Sequence, residues 1–217
     1  LAYKVAKEKL NKRKCIVTGN PIKSKLVKYS KAKALRELNL NTTKKTILIL
    51  GGSQGASPLN NHFTKNIEFY LNNDIQIIWQ CGHKDYKYLL NKDYNHNIII
   101  KPFIDNMSQI YSASDIVIAR AGAISISELC YMSKAMILIP YPYASDNHQS
   151  LNANNMFENN ACITINQTDL TNNSLENTII NLFNNKKEIA KLEKNAKLFS
   201  NPNATKDITK NILEIIS

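Results

Sequence analysis

Hydrophobic residues occur along the chain in six short runs of about five residues, and longer segments with apolar residues three or four apart separate them. Short continuous runs are typical of strands buried on both faces, and the wider spacing is typical of amphipathic helices. The predicted strands are residues 46–50, 75–79, 97–101, 115–119, 135–139 and 161–165. Their alternation with helices predicts an α/β fold, with a doubly wound, mostly parallel six-stranded sheet and helices on both faces.

The two ends of the chain differ from this alternation. From Ser174 onward only helical spacing is present. Residues 1–45 do not fit the pattern, because residues 14–18 predict either a strand or a linker and the polar residues 39–45 predict a linker. We therefore expect a division between residues 1–45 and a domain formed by residues 46–217.

Charge and composition narrow the function classes. The 217 residues carry 28 Lys and Arg against 17 Asp and Glu, a formal net charge of +11, and the basic residues cluster near the start. This cluster fits an anionic membrane surface or an anionic substrate, but a general bias toward Asn, Lys and Ile explains it equally well. A nucleic-acid-binding domain is disfavoured because no aromatic platform for bases interleaves the basic residues. No apolar run approaches the roughly 18 residues that span a bilayer.

Cysteine and histidine give no sign of a metal site. The four cysteines are far apart and form no CxxC pair, which argues against a disulfide scaffold or a cysteine-bound zinc and favours a reducing cytoplasm. No His, Asp or Glu group has ligand spacing, and we assign no catalytic role to any histidine; His62 is expected in a surface-like, polar context.

Four loops follow predicted strands and are expected to face one crevice, since ligands of open α/β sheets bind at the carboxyl ends of the strands. The first, residues 51–56 (GGSQGA), offers glycines and a helix N-terminus to an anion, or is a plain turn with Ser53 as the helix cap. In the second, residues 102–105, Ile104 is placed to lie against a flat ring, although Asp105 as an N-cap explains the segment equally simply.

The third and fourth loops carry carboxylate, hydroxyl and amide groups. In residues 120–128, Glu128 is suited to accept both hydroxyls of a ribose, or forms a capping box with Ser125. In residues 140–153, amides such as Gln149 suit sugar hydroxyls, or belong to a solvated helix face.

Taken together and in order, these segments resemble the MurG family of glycosyltransferases, which add N-acetylglucosamine to the lipid-linked muramyl-pentapeptide precursor of peptidoglycan. The resemblance covers essentially the whole chain as the carboxy-terminal half of such a protein. The matching segments are residues 18–23 (TGNPIK), 51–56 (GGSQGA), 103–107 (FIDNM), 120–123 (RAGA), 127–128 (SE), 146–149 (DNHQ) and 152–153 (NA).

The resemblance implies a GT-B fold in which residues 46–217 are a Rossmann-like domain that binds the donor UDP-N-acetylglucosamine, while residues 1–45 are a remnant of the amino-terminal domain and a linker. It implies inverting transfer without a metal or other cofactor. The residues implied in substrate binding are Lys23, Ser53, Ile104, Ala123, Ile124, Ser125, Ile126, Ser127, Glu128 and Gln149. By this implication Ser53 meets the diphosphate, Ile104 holds the uracil, Glu128 the ribose and Gln149 the sugar.

The resemblance also implies what the chain lacks. Lys23 and Ser57 stand where the family usually has Arg, so Lys23 keeps a charge but loses the bidentate geometry. The general base is expected in the amino-terminal domain, which residues 1–45 do not match. The implied partners are the donor, the lipid-linked acceptor and the cytoplasmic face of the bacterial inner membrane, where the protein is peripheral. The alternative is a non-catalytic sugar-nucleotide-binding module that needs a separate acceptor half.

Overall fold

The computed structural model describes residues 15–22, 26–52, 54–92, 94, 97–170 and 173–216. Six strands form one sheet in the order β3-β2-β1-β4-β5-β6, and every neighbouring pair is parallel. The strands are β1 Lys45–Leu50, β2 Ile75–Gln80, β3 Ile98–Lys101, β4 Ile116–Ala119, β5 Ala135–Leu138 and β6 Ile163–Thr164. The predicted doubly wound six-stranded sheet is confirmed, and all of its strand pairs are parallel.

Helices cover both faces of this sheet. They are α1 Lys31–Glu37, α2 Ser57–Lys65, α3 Ile67–Asn72, α4 His83–Leu90, α5 Met107–Ala113, α6 Ala123–Met132, α7 His148–Glu158, α8 Ser174–Asn184, α9 Lys186–Lys197 and α10 Ala204–Ile216, with short 3-10 turns at Ser145–Asn147 and Gln167–Asp169. Helices α2 and α3 are separated at Asn66, whose side-chain amide donates to the carbonyl of His62 at 3.0 Å.

Alternate residues of the central strands pack into two separate cores, one on each face. Ile47 and Ile49 contact the core formed with α2 and α3, whereas Leu48 and Leu50 contact the core formed with α5 and α6. Because both faces are covered, nearly every side chain of β1 is buried, which is why its sequence is a continuous apolar run.

The segment before β1 contains one helix that the sequence pattern did not predict. Residues 15–20 form neither helix nor strand, so the linker alternative fits the described part of 14–18; Lys14 is outside the described residues. In α1, Ala34 and Leu35 are fully buried in the core beside α5. Ser30 caps this helix by accepting a hydrogen bond from the N–H of Lys33. The division at residue 46 stays a prediction.

His62 corrects another expectation. Its side chain is only 9% exposed, and its Nε2 lies 2.8 Å from Oε1 of the buried Glu176. The polar neighbours in the sequence suggested a surface position, but the imidazole is buried and paired with Glu176 of α8.

The strand order reverses between β1 and β4. The chain proceeds from β1 outward through β2 and β3, and then returns to the other side of β1 as β4. Connections on opposite faces therefore leave a crevice at the carboxyl ends of β1 and β4, where ligands of this sheet class bind.

Candidate functional site

The glycine turn after β1 packs directly against the turn after β2. Gly55 has φ +79°, and a Cβ there would lie 2.3 Å from the carbonyl oxygen of Cys81. Helix α2 begins at Ser57 with Ala56 as its N-cap, and the cap makes no side-chain hydrogen bond. The prediction that Ser53 caps this helix is therefore wrong, because Ala56 is the N-cap. Ser53 itself lies outside the described residues, and its contact with an anion stays a prediction.

Gln80, the last residue of β2, was not singled out from the sequence. Its side-chain amide is buried, with 6% of the residue exposed. The Nε2 group donates to the carbonyl of Gly52 at 3.1 Å, and the Oε1 atom accepts from the N–H of Ile104 at 3.0 Å. The available signal was a polar residue at the carboxyl end of a mostly apolar strand.

Ile104 lies at the carboxyl edge of the sheet, and its contact with a flat ring stays a prediction. Its N–H is bonded to Gln80, and no hydrogen bond from the described residues reaches its carbonyl oxygen. The prediction that Asp105 is the N-cap is wrong. Asn106 is the cap and accepts from the N–H of Gln109, because the Asp105 carbonyl first closes a turn with Met107 and delays the helix by one residue.

Glu128 projects into the same region from α6. The capping-box alternative is wrong, because α6 begins at Ala123 with Gly122 as N-cap, which places Glu128 in the second turn. The residue is 8% exposed, and Oε2 accepts from the Tyr111 hydroxyl at 2.9 Å. Burial, and then the adjacent carboxylate, raise the pKa of Tyr111 well above its ordinary value, so the phenol keeps its proton and remains a donor.

These loops meet around one small cavity of about 150 Å³. Its lining comes from the ends of β1, β2 and β3 and from α5 and α6: Leu50, Gly52, Gln80, Phe103, Ile104, Met107, Tyr111, Ser125 and Glu128. Lysine and arginine are absent from this set of described residues. A larger cavity, about 860 Å³, lies elsewhere, between α10, Ile22 and Tyr131, and no residue of the six strands lines it.

Residues 123–127, which were predicted to contact the nucleotide, lie in the first turns of α6, and the helix directs their side chains to different surroundings. Ser125 lines the cavity, and Ile124 is 62% exposed. Ile126 is fully buried in the core, so its side chain supports the helix. Ser127 accepts from the side-chain amide of Asn20 at 3.0 Å and donates to the carbonyl of Ala123 at 2.9 Å, which ties the segment before α1 to α6.

Gln149 and Asn152 hold two loops together. Oε1 of Gln149 accepts from the N–H groups of Ala121 at 3.2 Å and Tyr141 at 3.0 Å, while Asn152 donates to the Ala121 carbonyl at 3.0 Å. Since both partners of the Gln149 oxygen are donors, only its NH₂ group is left to meet a ligand. The solvated-face alternative therefore does not describe Gln149.

Arg120 has a supporting role after β4. Its guanidinium donates to the carbonyls of Ile139 and Pro140 and to the side chain of Gln167. It also lies 5.5 Å from the ring centroid of Tyr141. Lys23 lies outside the described residues, and the described residues contain no group of three or more His, Cys, Asp or Glu that could hold a metal ion.

Comparison with known proteins agrees with this arrangement. The model of the glycosyltransferase family 28 C-terminal domain matches residues 46–212. UDP-N-acetylglucosamine--N-acetylmuramyl-(pentapeptide) pyrophosphoryl-undecaprenol N-acetylglucosamine transferase of Flavobacterium psychrophilum is 38% identical over 100% of this chain and 59% of its own length. The protein of the same name from Thermodesulfovibrio yellowstonii is 36% identical over 96% of this chain and 58% of its own length.

Solved structures give the same result. The crystal structure of MurG from Acinetobacter baumannii has a TM-score of 0.69 and 25% identity, covering 92% of this chain and 57% of that one. A Staphylococcus aureus MnaA-UDP co-structure, at 12% identity and a TM-score of 0.59, shares the fold over 84% of this chain and 48% of that one. The chain spans less than two thirds of the relatives it matches, and the match over residues 46–212 shows that it belongs to glycosyltransferase family 28, of which it carries the C-terminal domain.

Proposed function

We propose that this chain supplies the donor site of an inverting transferase that moves N-acetylglucosamine from UDP-N-acetylglucosamine to the lipid-linked muramyl-pentapeptide precursor of peptidoglycan. One observation carries the proposal: Gly52, Ile104 and Glu128, from three different loops, line one cavity at the carboxyl edge of the sheet. The names of the relatives in Flavobacterium psychrophilum and Thermodesulfovibrio yellowstonii support the transferase over a non-catalytic binding module.

Each group has a role in holding the nucleotide. The carbonyl of Ile104 accepts from the uracil N3–H, because its own N–H is already bonded to Gln80. Glu128 accepts the ribose hydroxyls with the carboxylate oxygen that Tyr111 does not occupy. The NH₂ group of Gln149 donates to a hydroxyl of the sugar, since its oxygen accepts two backbone N–H groups.

The diphosphate is bound by backbone dipoles. The described residues lining the cavity include no cation, so the positive potential comes from the N-termini of α2 and α6, neither of which has a side-chain cap. Ser53 and Lys23 add a hydroxyl and a point charge. As UDP departs, negative charge grows on the β-phosphate, and these preorganised donors stabilise it.

Titration of the folded chain with UDP and UDP-N-acetylglucosamine by calorimetry tests the donor site. We expect both to bind and CDP to bind more weakly, because cytosine carries no hydrogen on N3 for the Ile104 carbonyl. Equal binding of CDP and UDP contradicts the uracil contact, and no binding of either uridine nucleotide by the folded chain contradicts the donor site.

Transfer needs an acceptor half, and its test separates the enzyme from the binding module. We expect no transfer to the lipid acceptor by this chain alone, and transfer after addition of the amino-terminal half of a relative. UDP binding without any restored transfer favours the binding module.

We also propose a peripheral position on the cytoplasmic face of the inner membrane. None of the described helices is long and apolar enough to cross a membrane. The basic residues near the start of the chain attract anionic headgroups, with each lysine near the surface contributing roughly 1 kcal/mol. Co-sedimentation with anionic vesicles but not with neutral ones is expected; binding that ignores lipid charge contradicts this proposal.

A further inference from the structure

Gln80 connects two loops that the proposed function assigns to opposite ends of the same ligand. Strand β2 lies between β1 and β3 in the sheet, so its last residue has one neighbouring strand end on each side. From this position the amide donates to Gly52, in the turn after β1, and accepts from Ile104, in the loop after β3. Gly52 belongs to the turn proposed for the diphosphate, and Ile104 is proposed to hold the uracil.

We propose that Gln80 is a positioning residue, which fixes the spacing between the uracil contact and the diphosphate turn without touching the substrate-reacting atoms. This inference rests on the proposed function, because it concerns the same donor site. It assigns to Gln80 a role in selecting ligands whose base and diphosphate are joined at the spacing of UDP.

The two partners of the Gln80 amide determine which side chains can replace it. Gly52 presents a carbonyl and Ile104 presents an N–H, so a side chain at this position must both donate and accept. A carboxylate of the same size keeps the acceptor for Ile104 but places an oxygen against the Gly52 carbonyl. An apolar side chain loses both bonds and leaves the buried N–H of Ile104 unpaired.

The backbone around Gln80 makes the side-chain bonds effective. The N–H of Gly51 donates to the Gln80 carbonyl at 3.3 Å, and the N–H of Cys81 donates to the Lys101 carbonyl at 3.0 Å. These bonds hold the amide donor and acceptor at a constant place between the two loops. The Gly52 carbonyl also accepts from Gly55 at 3.1 Å, so the orientation of the whole turn is coupled to the amide.

The experiment compares Gln80→Glu and Gln80→Met with the parent chain, using UDP and uridine as probes in competition titrations. We expect Gln80→Glu to bind uridine as the parent does and UDP about tenfold more weakly, because only the diphosphate turn loses its bond. We expect Gln80→Met to bind both probes about tenfold more weakly. If Gln80 only stabilised the fold, Gln80→Glu would change the affinities for UDP and for uridine to the same extent.

Gln76 provides the matched control. It lies on the same strand, four residues earlier, and is also a buried amide, bonded to the backbone of Asn41 and to Thr46. We expect Gln76→Met to lower the melting temperature as Gln80→Met does, without changing UDP affinity. Melting curves confirm that each variant is folded before it is titrated.

Three outcomes separate the inference from the proposed function. If the Gln80 variants bind UDP and uridine as the parent does, the inference is wrong and the donor site remains. If Gln76→Met weakens UDP binding as much as Gln80→Met does, the effect is one of general stability and the inference is also wrong. If the parent binds no UDP, the proposed function fails first, and the inference fails with it.

Discussion

The two ends of the sheet use buried polar side chains in opposite ways. At the amino end, Gln76 uses its amide fully, because it accepts from the N–H of Asn41 and donates to the Asn41 carbonyl and to the Thr46 hydroxyl. At the carboxyl end of the same strand, Gln80 bonds only to the backbone of two loops, Gly52 and Ile104. The Gln76 amide bonds to residues beside the amino ends of the strands. The Gln80 amide instead holds two loops in place beside the cavity.

The same contrast holds for the buried and half-buried carboxylates. Asp115, at the start of β4, accepts from Lys31 with both oxygens and from the N–H of Thr46 at 2.8 Å. Glu128, at the opposite end, accepts from Tyr111 with one oxygen, and no hydrogen bond from the described residues reaches the other. The carboxylate at the amino end is therefore fully engaged within the chain, whereas the one at the carboxyl end keeps an oxygen that no described residue bonds.

Replacing Gly55 by Ala is expected to have the largest effect. An added Cβ meets the Cys81 carbonyl at 2.3 Å, and φ +79° strains any side chain, so we expect a loss of about 3 kcal/mol in the free energy of unfolding and weaker UDP binding. Denaturant titration and calorimetry measure the two effects. Gly52→Ala is the control, since its Cβ meets nothing within 4 Å and φ +85° leaves a strain of only about 1–2 kcal/mol. Equal losses for both variants contradict the close packing of the two turns.

Glu128→Ala is expected to weaken UDP binding about 100-fold, because it removes charged hydrogen bonds to two ribose hydroxyls. The contrast between the two ends of the sheet is sharpened by repeating the titration with 2′-deoxy-UDP. This ligand loses one of the hydroxyls, so the substitution is expected to cost it less. If Glu128→Ala weakens the binding of 2′-deoxy-UDP as much as that of UDP, Glu128 acts on the fold and not on the ribose.

Asp115→Ala tests the amino end. It removes the bonds to Lys31 and Thr46, and because the Asp115 side chain is 27% exposed and Lys31 37%, solvent screening limits the loss to about 1–2 kcal/mol in the free energy of unfolding. UDP affinity is expected to stay at the parent value. A large loss of UDP affinity in a folded Asp115→Ala chain contradicts the conclusion that the amino end of the sheet does not take part in UDP binding.

The smallest effect is expected at Glu176 of α8, whose carboxylate pairs with His62 of α2. Burial by itself raises the pKa of this carboxyl, but hydrogen bonds from His62, the backbone N–H and Tyr70 together outweigh burial and lower the pKa below its ordinary 4.5. The native state therefore favours the charged form, so this stabilisation is complete above pH 4.5 and is lost as the pH falls through the lowered native value. As the pH is lowered from 7, the melting temperature of Glu176→Gln is expected to fall less than that of the parent chain. An equal fall in both chains contradicts the stabilising role of the Glu176 carboxylate.

The strands and the loops after them could be predicted from the sequence, whereas their side-chain partners could not. Residues 46–50 predict a buried strand because both faces are apolar, and β1 was found one residue longer, from Lys45. The pairing of Gln80 with Ile104 crosses 24 positions of the chain, and that of Asn20 with Ser127 crosses 107. A pattern of neighbouring residues cannot predict hydrogen bonds between residues that are so far apart in the sequence.

Local patterns also gave wrong helix caps, because several nearby residues have side chains that can cap a helix. Asp105 and Asn106 both have cap-forming side chains, and the turn that Asp105 closes with Met107 decided in favour of Asn106. Ser125 and Glu128 have capping-box spacing, but the helix starts three residues earlier than that spacing requires, with Gly122 as its N-cap, and Glu128 bonds to Tyr111 instead.

The sequence by itself determined the six strands, their alternation with helices and the residue types at each strand end, because hydrophobic periodicity and glycine conformations act over a few neighbouring residues. Only the tertiary structure decided which polar atoms are already used: the N–H of Ile104, one oxygen of Glu128 and the oxygen of Gln149 are bonded within the chain. A hydrogen-bonding atom can meet a ligand only where no internal partner satisfies it, and those partners come together only when the distant strands align.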